Sequence, residues 1–292
     1  MLSQTEQINP QTWDIDLADG EQIARLINQE DAKIAAAIAE ILPQIGQAIE
    51  QITARLQKGG RMAYFGSGTS GRIGILDAAE MQPTFSVAED LISGYISGGE
   101  AALRHAVENA EDKIACADED FEHFNPQPND VVVAISASGN PEYTLRVLQR
   151  ARERGVMTVA LTSNPNAKFK PYADIFLNPI LGPEVIAGSS RMKSGTAQKM
   201  ILNMLSTGVM IRMGKTYHNY MVDLYVSNLK LRERAMRLVS EICQTDAETA
   251  RKVLQKAGNV KTACVMLKRQ CDKETAEKIL AEHGGILRKI IE

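Results

Sequence analysis

RMAYFGSGTSG, residues Arg61 to Gly71, decides the fold. A short apolar run, Arg61 to Gly66, passes directly into a loop of glycines and hydroxyls. From Arg72 to Met81 the spacing turns helical, until Pro83. Strand, glycine-rich turn and helix in that order form the opening unit of an α/β domain. Further along, LISGYIS (Leu91 to Ser97) reads as a strand and Glu100 to Ile114 as a helix. DVVVAIS (Asp130 to Ser136) is a continuous apolar run between polar turns. It leads through ASGNPE into a helix from Tyr143 to Arg154, closed by Gly155. VMTVALTS (Val156 to Ser163) and DIFLNPI (Asp174 to Ile180) read as two more strands. Such alternation predicts a doubly wound, mainly parallel sheet with helices on both faces.

The flanks of this block are helical. Asp31 to Leu56 repeats Ile, Ala and Leu at spacings of three and four, is interrupted at Pro43, and stops at Gly59-Gly60. A long apolar helix is expected from Ser194 to Met213, ended by Gly214, and another from Val222 to Ile242. After Thr245 three short amphipathic segments follow with cap-like starts: DAETARKVLQKAG, VKTACVMLKRQ and DKETAEKILAEHGG. The expected division is therefore a domain over 1–244 and a small helical bundle over 245–292.

A net charge of -3 argues against nucleic-acid binding, which calls for a basic face. Apolar runs such as Val131 to Ile135 are far too short to span a bilayer. The opening MLSQTEQINPQ is polar, so no secretory signal is expected in it. Cys116, Cys243, Cys264 and Cys271 show no paired spacing and are expected as reduced thiols of a cytoplasmic protein. Four dispersed histidines give no ligand spacing, so no metal is expected.

Gly66, Gly68 and Gly71 satisfy the dinucleotide pattern G-x-G-x-x-G, but the strand closing at Ile96-Ser97-Gly98-Gly99 lacks the acidic residue that would bind a ribose. Instead Ser67, Thr69 and Ser70 crowd a helix start, where unpaired N–H groups and the helix dipole favour an anion. Ser136-Ala137-Ser138-Gly139-Asn140 repeats the arrangement after the third strand. Two such loops at the carboxyl edge of a parallel sheet are placed to hold one phosphomonoester with neutral donors; the plainer alternative is that both only cap helices.

Several longer motifs stand in order along the chain: GSGTSGRIGILDAAEMQPTF, AVENAED, GPEVIAGSSRMKSGTAQKMILNMLSTGVMI and NYMVDLYVSNLKL, with INQED and IDL nearer the amino terminus. In them the chain resembles the sugar isomerase (SIS) domain and, within it, the N-acetylmuramic acid 6-phosphate etherases. The resemblance implies a carbon–oxygen lyase that removes lactate by elimination and then adds water. It implies Glu80 as proton donor and Glu111 as general base, without cofactor. On a helical wheel Glu80 shares a face with Ile73, Leu76 and Asp77, and burial there would raise its pKa. Glu111 flanks the expected stripe of Leu103, Ala106, Val107, Ala110 and Ile114, which favours it mildly over Glu108 and Asp112.

For binding, the resemblance points to Ser67, Thr69, Ser70, Ser136 and Ser138, and to a homodimer. Gly68 and Asn140 of the same loops join them as candidates. So do Ser190 and Lys193 from SSRMKSGT, which opens the long helix with hydroxyls and two cations and whose plainer reading is a capped helix start. The expected partner is a small sugar phosphate, with no nucleic acid and no membrane. Two departures from the family pattern bear on the substrate. Met81-Gln82 precede Pro83 where a second proline is usual, and Gly139-Asn140-Pro141-Glu142 replaces a stretch that carries an arginine. A regulator that binds a sugar phosphate without catalysis, an isomerase, or a paralogue with a shifted substrate are the competing readings. A nicotinamide-dependent dehydrogenase is the weakest of them.

Overall fold

Three short 3-10 turns, Gln4–Glu6, Pro10–Thr12 and Ile15–Leu17, lead to helix α1 (Gly20–Asp31). Its start is a capping box: Asp19 accepts from the Gln22 backbone while the Gln22 side chain accepts from the Asp19 N–H. Helices α2 (Lys33–Ala39) and α3 (Leu42–Leu56) follow. Pro43 sits in the first turn of α3, where its missing N–H costs nothing, so the proline starts a helix here. This computed structural model describes residues 4–224 and 229–292.

Strand β1 (Met62–Gly66) passes into α4 (Gly68–Ala79), then α5 (Met81–Phe85), β2 (Ile92–Ile96) and the single turn α6 (Ala101–Arg104). Next come α7 (Ile114–Phe124), β3 (Val131–Ile135), α8 (Glu142–Glu153), β4 (Met157–Leu161) and β5 (Ile175–Leu177). The five strands are parallel in the order β2-β1-β3-β4-β5. β1, β3 and β4 are buried at every residue, which is why they read as continuous apolar runs rather than alternating ones. One face of the sheet (Ala63, Phe65, Val132, Ala134, Ala160) packs on Phe121, Phe124, Tyr143, Val147 and Leu148 of α7 and α8. On the other face, a Cβ added at Gly74 of α4 would sit 3.0 Å from the Tyr64 Cβ and 3.3 Å from Ile135 Cδ1, so the helix lies hard against the strands. From β1 the chain moves outward to β2 and then returns across β1 to β3. The loops after β1 and β3 therefore lie side by side at the carboxyl edge, at the topological switch point.

The 20-residue α9 (Lys193–Arg212) comes next, followed by the hairpin β6 (Thr216–Tyr217) and β7 (Tyr220–Met221). Four further helices are α10 (Leu229–Cys243), α11 (Ala247–Ala257), α12 (Val260–Arg269) and α13 (Lys273–Glu282), and α14 (Arg288–Ile291) ends the chain. The three tail helices begin as their sequence predicts, with Asp246, Asn259 and Asp272 each accepting from a backbone N–H. Val222 to Leu224 are not helical, so the helix expected from Val222 is seen only as α10; its stretch over 225–228 lies outside the described residues.

The chain divides into two compact units. One runs to Ala79 and resumes over Asp90–Ser206, and the other comprises Glu80–Glu89 and Thr207–Glu292. The helical unit is larger than the tail after Thr245, because Ala235, Leu238, Val239 and Ile242 of α10 share one core with Leu254, Cys264 and Leu280. Among the described residues no helix is long and apolar enough to cross a membrane.

Candidate active site

Close backbone approach builds the first loop. A Cβ at Gly66 would lie 2.6 Å from the Gly71 nitrogen, and one at Gly71 2.6 Å from Ile96 Cγ1, so both positions admit only glycine. Gly68 has φ +54°, a left-handed value that glycine adopts without strain. The result is a tight turn in which the Ser70 and Gly71 N–H groups donate to the Ser67 carbonyl at 3.1 and 3.4 Å. The Ser67 hydroxyl is buried and has no hydrogen-bond partner in the protein. A buried polar atom in that condition needs a ligand or solvent to satisfy it.

The second loop is held more firmly. Gly139, at φ +67°, donates to the Ser136 hydroxyl at 3.0 Å, and a Cβ there would meet the Ala167 Cβ at 2.3 Å. Asn164 donates to the Ser138 carbonyl at 2.8 Å, and the Thr162 hydroxyl donates to the Ala137 carbonyl at 3.0 Å. Asn140 accepts from the Lys168 N–H at 3.4 Å, and its own N–H donates to the Ser138 hydroxyl. Glu142 on the rim stands 3.9 Å from the Lys168 ammonium, both exposed, so the pair is weak.

A cleft of about 260 Å³ opens beside the first loop, lined among others by Ser67, Gly68, Arg72, Ser97, Asn109 and Glu111. The segment that brings Glu111 there departs from the continuous helix expected over 100–114. The chain makes the α6 turn, extends at His105, and forms a 3-10 turn at Ala110–Asp112. Arg72 binds the segment at the break. Its Nε donates to the Leu103 carbonyl at 3.1 Å and its Nη2 to the His105 carbonyl at 3.2 Å, where the α6 turn ends and the chain extends. Gly98 and Gly99, both with positive φ, turn the chain into this path. Leu103, Val107 and Ile114 of the expected buried stripe are consequently exposed, while Ala110 is buried. Glu111, Glu108 and Asp112 are all exposed, and both Glu108 and Glu111 line the cleft.

SSRMKSGT divides between two roles. The Gly195 N–H donates to the Ser190 carbonyl at 3.1 Å, and a Cβ at Gly195 would lie 3.4 Å from Thr69 Cγ2. The Ser190 turn thus stands next to the first loop. Lys193, expected to reach substrate, is instead buried within the protein. Its ammonium lies 2.6 Å from Glu30 and donates to the Leu181 carbonyl at 2.9 Å. Burial pushes the Glu30 carboxyl up, but hydrogen bonds from Lys193 and Lys33 outweigh it and hold the group below its ordinary value. Glu184, also buried, accepts from the backbone N–H groups of Lys193 and Ser194 and from the Ser194 hydroxyl.

Glu80 follows α4 directly, precedes Pro83 in α5, and is exposed, so the apolar burial expected for it is absent. The buried carboxyl of this stretch is Asp77, one turn earlier. It accepts from the Tyr64 hydroxyl at 2.8 Å and the Ser206 hydroxyl at 3.1 Å, and burial raises its pKa against those bonds. With its amide turned so that nitrogen faces Asp77, Asn203 donates to the same carboxyl at 3.1 Å and accepts from Lys199. Sequence reading gave neither Asp77 nor Arg72 a role. For Arg72 the signal was available, since the i to i+4 step from Gly68 returns it to the face of the loop. Among the described residues no group of three or more His, Cys, Asp and Glu side chains gathers as a metal site.

Comparison with known proteins is consistent along the whole chain. Residues 44–152 match the glucokinase regulatory protein N-terminal SIS domain, 117–208 the SIS domain, and 218–259 the C-terminal lid domain of glucokinase regulatory protein. An N-acetylmuramic acid 6-phosphate etherase from Edwardsiella ictaluri is 49% identical over 289 residues, covering 99% of this chain and 96% of that protein. One from Glaesserella parasuis is 46% identical over 282 residues, covering 96% of this chain and 93% of its own length. Among solved structures, phosphoheptose isomerase from Neisseria gonorrhoeae superposes with a TM-score of 0.50 at 20% identity. That match covers 65% of this chain and 97% of the isomerase, and shows a common fold.

Proposed function

The chain belongs to the N-acetylmuramic acid 6-phosphate etherase family, and from that membership we propose that it cleaves the lactyl ether of N-acetylmuramic acid 6-phosphate. The products are N-acetylglucosamine 6-phosphate and D-lactate, a carbon–oxygen lyase reaction that serves the recycling of peptidoglycan sugars. A base removes the C2 proton of the open-chain aldehyde, which the adjacent carbonyl acidifies. The C3–O bond then breaks, and the departing oxygen takes a proton as lactate leaves. Water adds across the new double bond, its hydroxyl to C3 and its proton to C2.

Two carboxyl groups suffice for these transfers. Glu111 is the base and Glu80 the proton donor. The observation that supports Glu111 is the cleft, in which its segment faces a loop whose buried Ser67 hydroxyl has no partner in the protein; the role of Glu80 rests on the family resemblance. Ser67, Gly68, Thr69 and Ser70 hold the 6-phosphate at the α4 start, with Ser136, Ser138 and Asn140 from the neighbouring strand end and Ser190 beside Thr69. The protein works in the cytoplasm as a homodimer. Four free cysteines support the compartment, and the exposed Ile8, Trp13 and Leu17 support an interface between copies.

Lactate release from N-acetylmuramic acid 6-phosphate tests the proposal. Glu80→Ala and Glu111→Ala are each expected to lower the rate by about 10²–10⁴-fold, with melting temperature unchanged because both side chains are exposed. A parent protein that binds the sugar phosphate and releases no lactate would overturn it.

A further inference from the structure

Arg72 is the cationic side chain of the cleft that carries Glu111, and it touches both walls. It stands in the second turn of α4, one turn beyond the hydroxyl loop, and its guanidinium forks onto the carbonyls of Leu103 and His105. Those two bonds use two of the five N–H donors of an arginine. The segment they hold packs its 110–112 turn on α8 and its α6 turn on α4 but has little regular structure of its own. Between β2 and α7 the chain forms one helical turn and one 3-10 turn, passes through Gly98, Gly99 and Asn109 at positive φ, and leaves Leu103 and Val107 exposed. Its packed anchors are the small side chains of Ala102 and Ala110.

We propose that Arg72 is a positioning residue that fastens the Glu111 segment to the phosphate-binding loop. This rests on the reading of Glu111 as base. The guanidinium belongs rigidly to α4, whose first turn holds the phosphate, while its fork fixes the backbone a few residues before the base. Phosphate binding and base placement therefore share one rigid element. A lysine cannot reproduce the fork, because an ammonium is a single point charge without planar, paired donors.

The test compares Arg72→Lys and Arg72→Met with the parent, reading kcat and KM on N-acetylmuramic acid 6-phosphate and amide hydrogen exchange over residues 101–112, with and without inorganic phosphate. In both variants kcat is expected to fall by about 100-fold, the cost of misplacing a catalytic group by about 1 Å, with KM little changed. Exchange over 101–112 is expected to quicken, and phosphate is expected to protect that segment in the parent alone. Parent-like kcat in Arg72→Lys would overturn the proposal. So would a rise in KM alone, which would make Arg72 a phosphate ligand, or a fall in kcat with unaltered exchange, which would make it a group acting on substrate. A parent without etherase activity would sink the functional reading instead, and the exchange data would then decide the role of Arg72 by themselves.

Discussion

The starts of α4 and α9 resemble each other as sequence: Ser67-Gly68-Thr69-Ser70-Gly71 opens one, Ser189-Ser190-Arg191-Met192-Lys193-Ser194 the other. Each offers hydroxyls and backbone N–H groups at the positive end of a helix dipole. At α9 the protein supplies its own anion. The Glu184 carboxylate accepts from Lys193, from Ser194 and from the Ser194 hydroxyl, and a second buried carboxylate, Glu30, pairs with the Lys193 ammonium. Among the described residues no carboxylate accepts from the first turn of α4, and the Ser67 hydroxyl is unpartnered. A hydroxyl-rich helix start therefore does not by itself mark a site. What separates the two is whether the fold has already filled the anion position from within.

The contrast is most exposed to test at Lys193. Removing one partner of a buried ion pair typically costs about 3–5 kcal/mol, so Lys193→Met is expected to lose that much in urea unfolding while KM holds. A raised KM with unchanged stability would restore Lys193 as a substrate ligand and break the comparison. Ser67→Ala sharpens it from the other side. Loss of one hydrogen bond to a charged phosphate is expected to weaken sugar-phosphate binding about tenfold, or about 1.4 kcal/mol, and to leave melting unaltered. Ser194→Ala should behave conversely, costing about 1 kcal/mol of stability and nothing in binding. The smallest effect is one of acidity. The Glu30 carboxyl is held below its ordinary value of 4.5. The stability its charge provides is therefore complete above that pH and drains away below it, as the folded carboxyl takes up its proton. Melting temperatures followed downward from about pH 5 should fall in the parent, and Glu30→Gln should lack that component of the fall.

Much of the fold was legible because its signals are local. Val131 to Ile135 is the clearest strand of the sequence, and the cap-like starts of the tail segments correspond to caps at Asp246, Asn259 and Asp272. The helix drawn over 100–114 breaks where the Leu103 and His105 carbonyls accept from Arg72, 31 and 33 residues away in sequence, and periodicity cannot register such a contact. Lys193 misled for a similar reason. A lysine among hydroxyls reads as a ligand until Glu30, 163 residues earlier, is found beside it. The places of the two loops at the sheet edge were legible in the order of strand, loop and helix, whereas the cleft beside Glu111 was not, and the burial of Asp77 in place of Glu80 depended on Tyr64 and Ser206.

The two glycines that close the first loop set the terms on which such a site can drift. Gly66 and Gly71 meet at backbone distance, so any side chain at either would pry β1 from α4. The three hydroxyl positions between them carry no such constraint on their Cβ atoms. Changes at 67 and 69 that keep the side chain small can therefore alter the donors of the loop without touching its glycine contacts, whereas Ser70 is itself buried. Robustness and novelty fall on different residues of the same six-residue turn.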